Sequence, residues 1–256
     1  MAFLGFTRPT YACLDIFDPS PAPSFTAPTA APASGSPAPA VTAPPPGYVQ
    51  DDMGHVHAEP GSTIRYTSCP PASGRHYNGT GIGPIRAGYY GPNDSAVPPG
   101  WVHNLEHGGI VLLYRCDAAP GSSGAADSAA CTDASEVALQ ALLARWPASP
   151  ICKLPATSNV VIARFDDMAW PYAALVWDVI LPMESLDENL LFDFYARQAE
   201  RFNPEKTPGC VAPTPTPGPT PTAGPPTASP AASQPASPAA SPAASTPASS
   251  AAPSPS

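Results

Sequence analysis

"WVHNLEHGGIVLLY", residues 101–114, joins a polar block to an unbroken apolar run. The run "GGIVLLY", 108–114, has no polar alternation, which predicts a central strand buried on both faces. Upstream, "STIRYTS", 62–68, reads as a short strand. Between the two lies 69–101, made almost wholly of turn formers and pinned by Tyr77, Tyr89, Tyr90 and Trp101. A connection of that length inside a compact domain is uncommon and is often functional. Downstream, "DASEVALQALLARW" carries an Asp/Ser cap and apolar residues at helical spacing: Val137, Leu139, Leu142, Leu143 and Trp146. Pro147 and Pro150 stop that helix. "NVVIARF", 159–165, and "YAALVWDVIL", 172–181, read as strands. "SLDENLLFDFYARQAERF", 185–202, reads as an amphipathic helix with acids at its start and Arg197 and Arg201 near its end. The order β, long loop, β, α, β, β, α predicts an α+β domain: a two-layer mixed sheet with helices on one face. The tail of that order also matches the second half of a thioredoxin-like arrangement. The sequence has no Cys-x-x-Cys pair for thiol redox chemistry.

Composition sets the domain limits. The chain has 256 residues and 40 prolines, about three times the usual share of about 5%. The prolines crowd into both ends. Residues 18–50 are mostly Pro, Ala, Ser and Thr, and residues 211–256 contain no charged side chain. Such segments cannot bury enough apolar surface to offset their ordering entropy. The expected organisation is a disordered segment 1–50, one globular domain 51–210 and a disordered tail 211–256. The net charge is −9, and within 51–210 there are 10 Lys and Arg against 18 Asp and Glu. No basic stripe exists to hold nucleic acid. No apolar run approaches the about 18 residues of a membrane helix. The start, "MAFLGFTRPTYACLD", has no clear apolar core of a signal peptide. Stalk-like flanks nonetheless point to an exported or cell-surface protein, with envelope association through the tails and the export segment upstream or lost.

Six cysteines stand at 13, 69, 116, 131, 152 and 210. Cys116 and Cys131 bracket a Gly/Ala/Ser loop that a disulfide could close, and Cys152 with Cys210 could form a second pair. Cys69 is then left over, as a free thiol or a ligand, unless the cysteines pair differently, since sequence does not fix connectivity. Cys13 is expected as an incidental cysteine of a disordered segment, with a remnant lipidation site as the alternative.

All five histidines, 55, 57, 76, 103 and 107, precede the half of the domain that holds most of the regular structure. Histidines used for packing would scatter. Imidazole is the commonest protein ligand for zinc and copper. Either these residues hold a metal or they form a polar network pinning the long loop. His103, Glu106 and His107 also fit the string His-x-x-Glu-His of inverted zinc proteases. There both histidines bind zinc from one helix face and the glutamate activates water. That arrangement needs a helix through and beyond the string. Pro98, Pro99 and Gly100 precede it and Gly108 and Gly109 follow, which leaves room for at most one helical turn. Glu184 could be a third ligand, but nothing selects it. Ser73 beside His76 lacks the setting of a nucleophile elbow, and Asp166 with Asp167 reads as a solvated turn.

Several of these motifs occur together elsewhere. "HNLEHGG" before an apolar strand, preceded by "PPASGRHY" and "GYY", resembles the bacterial family known as domain of unknown function 3105. Its first pattern falls on His57, Gly61, Ile64 and Tyr66. The second falls on Pro70, Pro71, Ser73, Gly74 and His76, the third on Gly88 and Tyr90. The fourth falls on His103, Glu106, His107, Gly108 and Gly109. Ala169 with Trp170, and Pro204, Glu205 and Lys206, complete a series spanning about 55–206. Departures are Val56 before rather than after the histidine, Arg75 in place of a proline, Cys69, and the insertion between Cys116 and Cys131. His55 has no counterpart. The resemblance implies an exported or membrane-anchored protein and groups His57, His76, His103 and His107.

Three functions follow. The first is an exported metal-binding protein in which those four histidines converge on copper or zinc, with Glu106 as a ligand or as a partner fixing an imidazole. The second is a metal-dependent hydrolase with Glu106 as general base. The third is a structural or interaction module whose histidines form a satisfied polar network.

Overall fold

The computed structural model describes residues 10–19, 44–117, 130–207 and 210. Most of the two expected disordered segments and most of the Cys116–Cys131 loop lie outside these residues. In chain order the elements are β1 (Tyr11–Cys13), β2 (Tyr48–Val49), β3 (His57–Ala58), β4 (Ile64–Tyr66), β5 (His76–Tyr77) and β6 (Gly88–Tyr89). Then come α1 (Pro98–Glu106), β7 (Ile110–Tyr114), α2 (Asp133–Ala144), α3 (Ala156–Asn159) and β8 (Val160–Arg164). The chain continues through β9 (Tyr172–Val176), β10 (Val179–Met183) and α4 (Glu188–Gln198).

The apolar run is the middle of the main sheet. Six strands lie in the order β2-β10-β9-β7-β8-β6. The strand β7 pairs parallel with β8 and antiparallel with β9, so the sheet is mixed. All five residues of β7 are buried. Ile110, Leu112 and Tyr114 pack with Leu139 and Leu142 of α2 and with Leu191, Phe194 and Tyr195 of α4. Val111 and Leu113 pack on the opposite face with Trp101, Val102 and Leu105 of α1. The fold is α+β around a mixed sheet, as the element order indicates.

Three details differ from the sequence expectation. First, helices do not stay on one face: α1, β4 and β5 supply residues to a second core behind the sheet. The unbroken apolarity of β7 reflects that double burial. Second, residues 172–181 are not one strand. β9 and β10 form an antiparallel hairpin that turns at Trp177 and Asp178. Asp178 takes the turn at φ 58°, a left-handed conformation that aspartate tolerates better than most residues. Third, the long loop is partly regular, since it contains β5, β6 and the first turn of α1.

The N-terminal segment also joins the fold before residue 51. β1 pairs parallel with β4, and β2 adds an edge to the main sheet. A disulfide links Cys13 to Cys69. Cys69 is therefore neither a free thiol nor a metal ligand, and Cys13 is neither incidental nor a lipid anchor. Cys116–Cys131 and Cys152–Cys210 pair as expected. Asp166 and Asp167 are half-buried rather than solvated. Asp166 Oδ1 accepts from the N–H groups of Cys116 (2.8 Å) and Asp117 (3.1 Å). Asp167 accepts from the Tyr11 hydroxyl at 2.9 Å.

Candidate metal centre

Proline and glycine set the helix that carries the polar block. α1 spans nine residues, more than the single turn expected from its neighbours. Pro98 and Pro99 occupy its first positions, where a missing N–H costs nothing. Its last turn ends in a Schellman motif. The Gly108 N–H donates to Leu105 O (2.9 Å) and the Gly109 N–H to Asn104 O (2.8 Å). Gly108 sits at φ +84°, and a Cβ there would stand 3.1 Å from Asn203 Nδ2 and 3.2 Å from Glu200 Cγ. Gly108→Ala is expected to cost about 1–2 kcal/mol through the left-handed backbone alone, read as a lowered denaturant midpoint at unchanged m-value.

Within α1, residues three apart share a face, so His103 and Glu106 point the same way. That face meets two short strands. β3 and β5 pair parallel with His57 directly opposite His76, so both rings project from one side of the pair. The three imidazoles close into a triangle. Ring centroids are 5.0 Å apart for His57 and His76, 5.1 Å for His57 and His103, and 4.7 Å for His76 and His103. Glu106 Oε2 reaches all three. It lies 2.9 Å from His76 Nε2, 3.4 Å from His57 Nε2 and 3.7 Å from His103 Nε2.

The outer nitrogens of two rings are already committed. His76 Nδ1 donates to Gly74 O at 2.8 Å, and His103 Nδ1 donates to Tyr77 O at 2.6 Å. A carbonyl can only accept, so these bonds place each neutral ring's hydrogen on Nδ1 and its lone pair on Nε2. The lone pairs then face the Glu106 carboxylate. His57 Nδ1 lies 3.2 Å from the Asn78 amide nitrogen. An amide can present either oxygen or nitrogen, so His57 is the ring whose tautomer is adjustable. Burial is uneven. His76, His103 and Glu106 are 0%, 3% and 1% exposed, whereas the His57 side chain is 42% exposed. Burial pushes the pKa of His76 and of His103 below the ordinary imidazole value, despite the Gly74 and Tyr77 carbonyls and Glu106.

The arrangement brings together four of the five expected ligands: His57, His76, His103 and Glu106. One atom from each lies within 4.8 Å of the others, a geometry that can hold a metal ion. His107 is not among them. Its ring stacks on His103 at 4.9 Å, and its Nδ1 lies 3.4 Å from Glu205 Oε2. His103 therefore joins His57 and His76 rather than pairing with His107 as the protease string would require. His55 and Glu184 are exposed and outside the group. Ser73 is fully buried, and its Oγ accepts from the Met53 N–H at 3.0 Å. The sequence did not single out Asn78 or the Gly74 and Tyr77 carbonyls. Asn78 stands two residues after His76, but backbone acceptors leave no residue-type signal.

The family model described as "Protein of unknown function (DUF3105)" matches residues 57–212. The chain belongs to the DUF3105 family. His57 is the first matched residue, so the match takes in all four clustered side chains and leaves out His55. The DUF3105 match starts downstream of β1 and β2. The chain matches no curated protein and no solved structure.

Proposed function

We propose that this DUF3105 protein is an exported or cell-surface metal-binding protein that holds one zinc or copper ion through His57, His76, His103 and Glu106. One observation carries this reading. Two buried imidazoles, each with Nδ1 fixed on a carbonyl, aim Nε2 lone pairs at a buried carboxylate oxygen. Lone pairs at that distance repel unless a cation lies between them. Burial disfavours protons on the two rings, and a single shared proton can bridge only the 2.9 Å contact to His76, leaving the His57 and His103 nitrogens without a cation between them and Oε2. A metal ion supplies the charge without that cost. Ligand atoms about 2.0–2.1 Å from a tetrahedral ion stand about 3.3 Å apart. The three Glu106 Oε2 contacts of 2.9, 3.4 and 3.7 Å bracket that edge. The carbonyls of Gly74 and Tyr77 act as the outer partners that orient metal-bound imidazoles. An N₃O donor set suits zinc and copper better than calcium or magnesium, which take oxygen.

In this reading Glu106 is a ligand, which removes it as the general base of a hydrolase. Histidines acting only as a polar network would need a proton shared between His76 and Glu106. Three disulfides favour an oxidising compartment. No helix among the described residues is long and apolar enough to cross a membrane.

The test is elemental analysis of untagged protein incubated with zinc or copper salt and then dialysed. Stoichiometric metal is expected at pH 7.5. Because the buried rings protonate only below the ordinary value of about 6.5, metal is retained there and lost below about pH 6. The metal-free protein has its own pH dependence. Rings with a depressed folded pKa take up protons more readily when unfolded. Stability is therefore full above about pH 6.5 and falls as the pH drops below it. Protein free of metal at pH 7.5 after loading overturns the proposal.

A further inference from the structure

The residue left out of the cluster has partners of its own. One atom each from Glu106, His107 and Glu205 also lie within 4.8 Å of one another. Glu106 thus belongs to two ligand groups at once. The three imidazoles approach its Oε2, which leaves Oε1 for the other side of the carboxylate. His107 and His103 stack at 4.9 Å with planes 19° apart, so the two groups adjoin along one helix face. The His107 Nδ1 to Glu205 Oε2 distance of 3.4 Å again matches the about 3.3 Å edge of a tetrahedral site.

Glu205 is not a loose surface carboxylate. Its backbone N–H donates to Glu106 O at 3.2 Å, and its own carbonyl accepts from Asn203 Nδ2. Lys206 Nζ closes the turn by donating to Glu200 O (3.2 Å), Arg201 O (3.1 Å) and Asn203 Oδ1 (2.8 Å). The turn is seated against Gly108, where a Cβ would stand 3.1–3.3 Å from Asn203 and Glu200. The site is therefore presented by a tied segment. It is also shallow: the His107 and Glu205 side chains are 44% and 51% exposed. A cavity of about 350 Å³ lined by His107, Asn104 and Thr207 opens beside it.

We propose that Glu106 bridges to a second, more exposed divalent-cation site completed by His107 and Glu205, making a two-ion centre. This rests on the three-histidine reading, because the bridge needs an ion on Oε2. Carboxylate-bridged ions in such centres stand about 3.5–4 Å apart. The cavity beside His107 gives room for water or a small oxyanion next to the outer ion.

The experiment is a zinc chloride titration of the untagged full chain, followed by isothermal calorimetry and by elemental analysis after dialysis. Wild type is expected to show two classes of site, one tight and one weaker. His107→Ala and Glu205→Gln each remove the weaker class and leave the tight ion at its wild-type affinity. Both side chains are exposed, so neither change threatens folding. Glu106→Gln weakens both classes together. A single class in wild type, unchanged by His107→Ala and Glu205→Gln, overturns the second site and leaves the first standing. No bound zinc at all overturns both.

Discussion

His76→Ala is expected to abolish stoichiometric metal binding and with it any metal-dependent stabilisation. The side chain is fully buried, bonded to Gly74 O at one end and 2.9 Å from Glu106 at the other. Among the described residues the cluster has no other His, Cys, Asp or Glu to take its place. Loss of a partner outside the coordination sphere already costs 10–100-fold in affinity, so loss of a ligand costs more than about 100-fold. For wild type, free metal at 100 times Kd adds about 2.7 kcal/mol. That corresponds to about 5–11 °C in Tm for a domain of 150–250 residues. At the same metal concentration His76→Ala gains almost none of it. The expected result is that chelator lowers the wild-type Tm by this amount and leaves the Tm of His76→Ala unchanged. A polar network gives a different pattern: His76→Ala melts lower than wild type by the same margin with and without chelator. His57→Ala makes a graded comparison. Its ring is at the solvent edge, where water can take the vacant position, so it is expected to weaken binding less.

The second large effect belongs to the N-terminal disulfide. Cys13 and Cys69 are 56 residues apart in sequence. Closing a loop of that length removes about 4 kcal/mol of unfolded-chain entropy at 25 °C. Cys13→Ser with Cys69→Ser should therefore cost about 4 kcal/mol, about 8–16 °C in Tm. The Cys116–Cys131 link, with a separation of 15, is worth about 3 kcal/mol by the same reasoning. The loss also reaches the metal centre. Cys69 is fully buried just upstream of the segment that turns through Gly74 to His76. Its N–H donates to Asp15 O at 3.0 Å, and its own carbonyl accepts from the Phe17 N–H at 2.8 Å. Releasing that anchor loosens the carbonyl that orients His76, so metal affinity should fall with stability. Thermal melts with and without reductant, alongside zinc affinity, check both parts. Unchanged stability in the double variant would contradict them.

The physical signals explain which features were legible in the sequence. The central strand was readable because Ile110–Tyr114 is apolar at every position. Helices α2 and α4 are readable because their apolar spacing is local, although the N-cap of α2 is Thr132 rather than Asp133 or Ser135 and Val137 of its apolar set is exposed. The clustering of His57, His76 and His103 followed from where histidines occur and from their place in the DUF3105 pattern. What failed was non-local or depended on backbone detail. Pro98 and Pro99 look like a helix block, yet at a helix start they are well suited. Gly108 looks like a break and is the C-terminal cap. The motif groups His107 with the other histidines, but one helical turn carries it past the triangle to Glu205. The Cys13–Cys69 pair is hidden because the 56-residue separation gives no local sign that Tyr11–Cys13 returns to β4.

The most direct measurement is an anomalous difference map from crystals of the untagged protein soaked in zinc or copper salt. Data are collected above and below the metal's absorption edge. A peak is expected about 2.0–2.1 Å from the Nε2 atoms of His57, His76 and His103 and from Glu106 Oε2. A map with no peak there, in which His76 Nε2 and Glu106 Oε2 keep hydrogen-bond separation after soaking, rules out the metal centre.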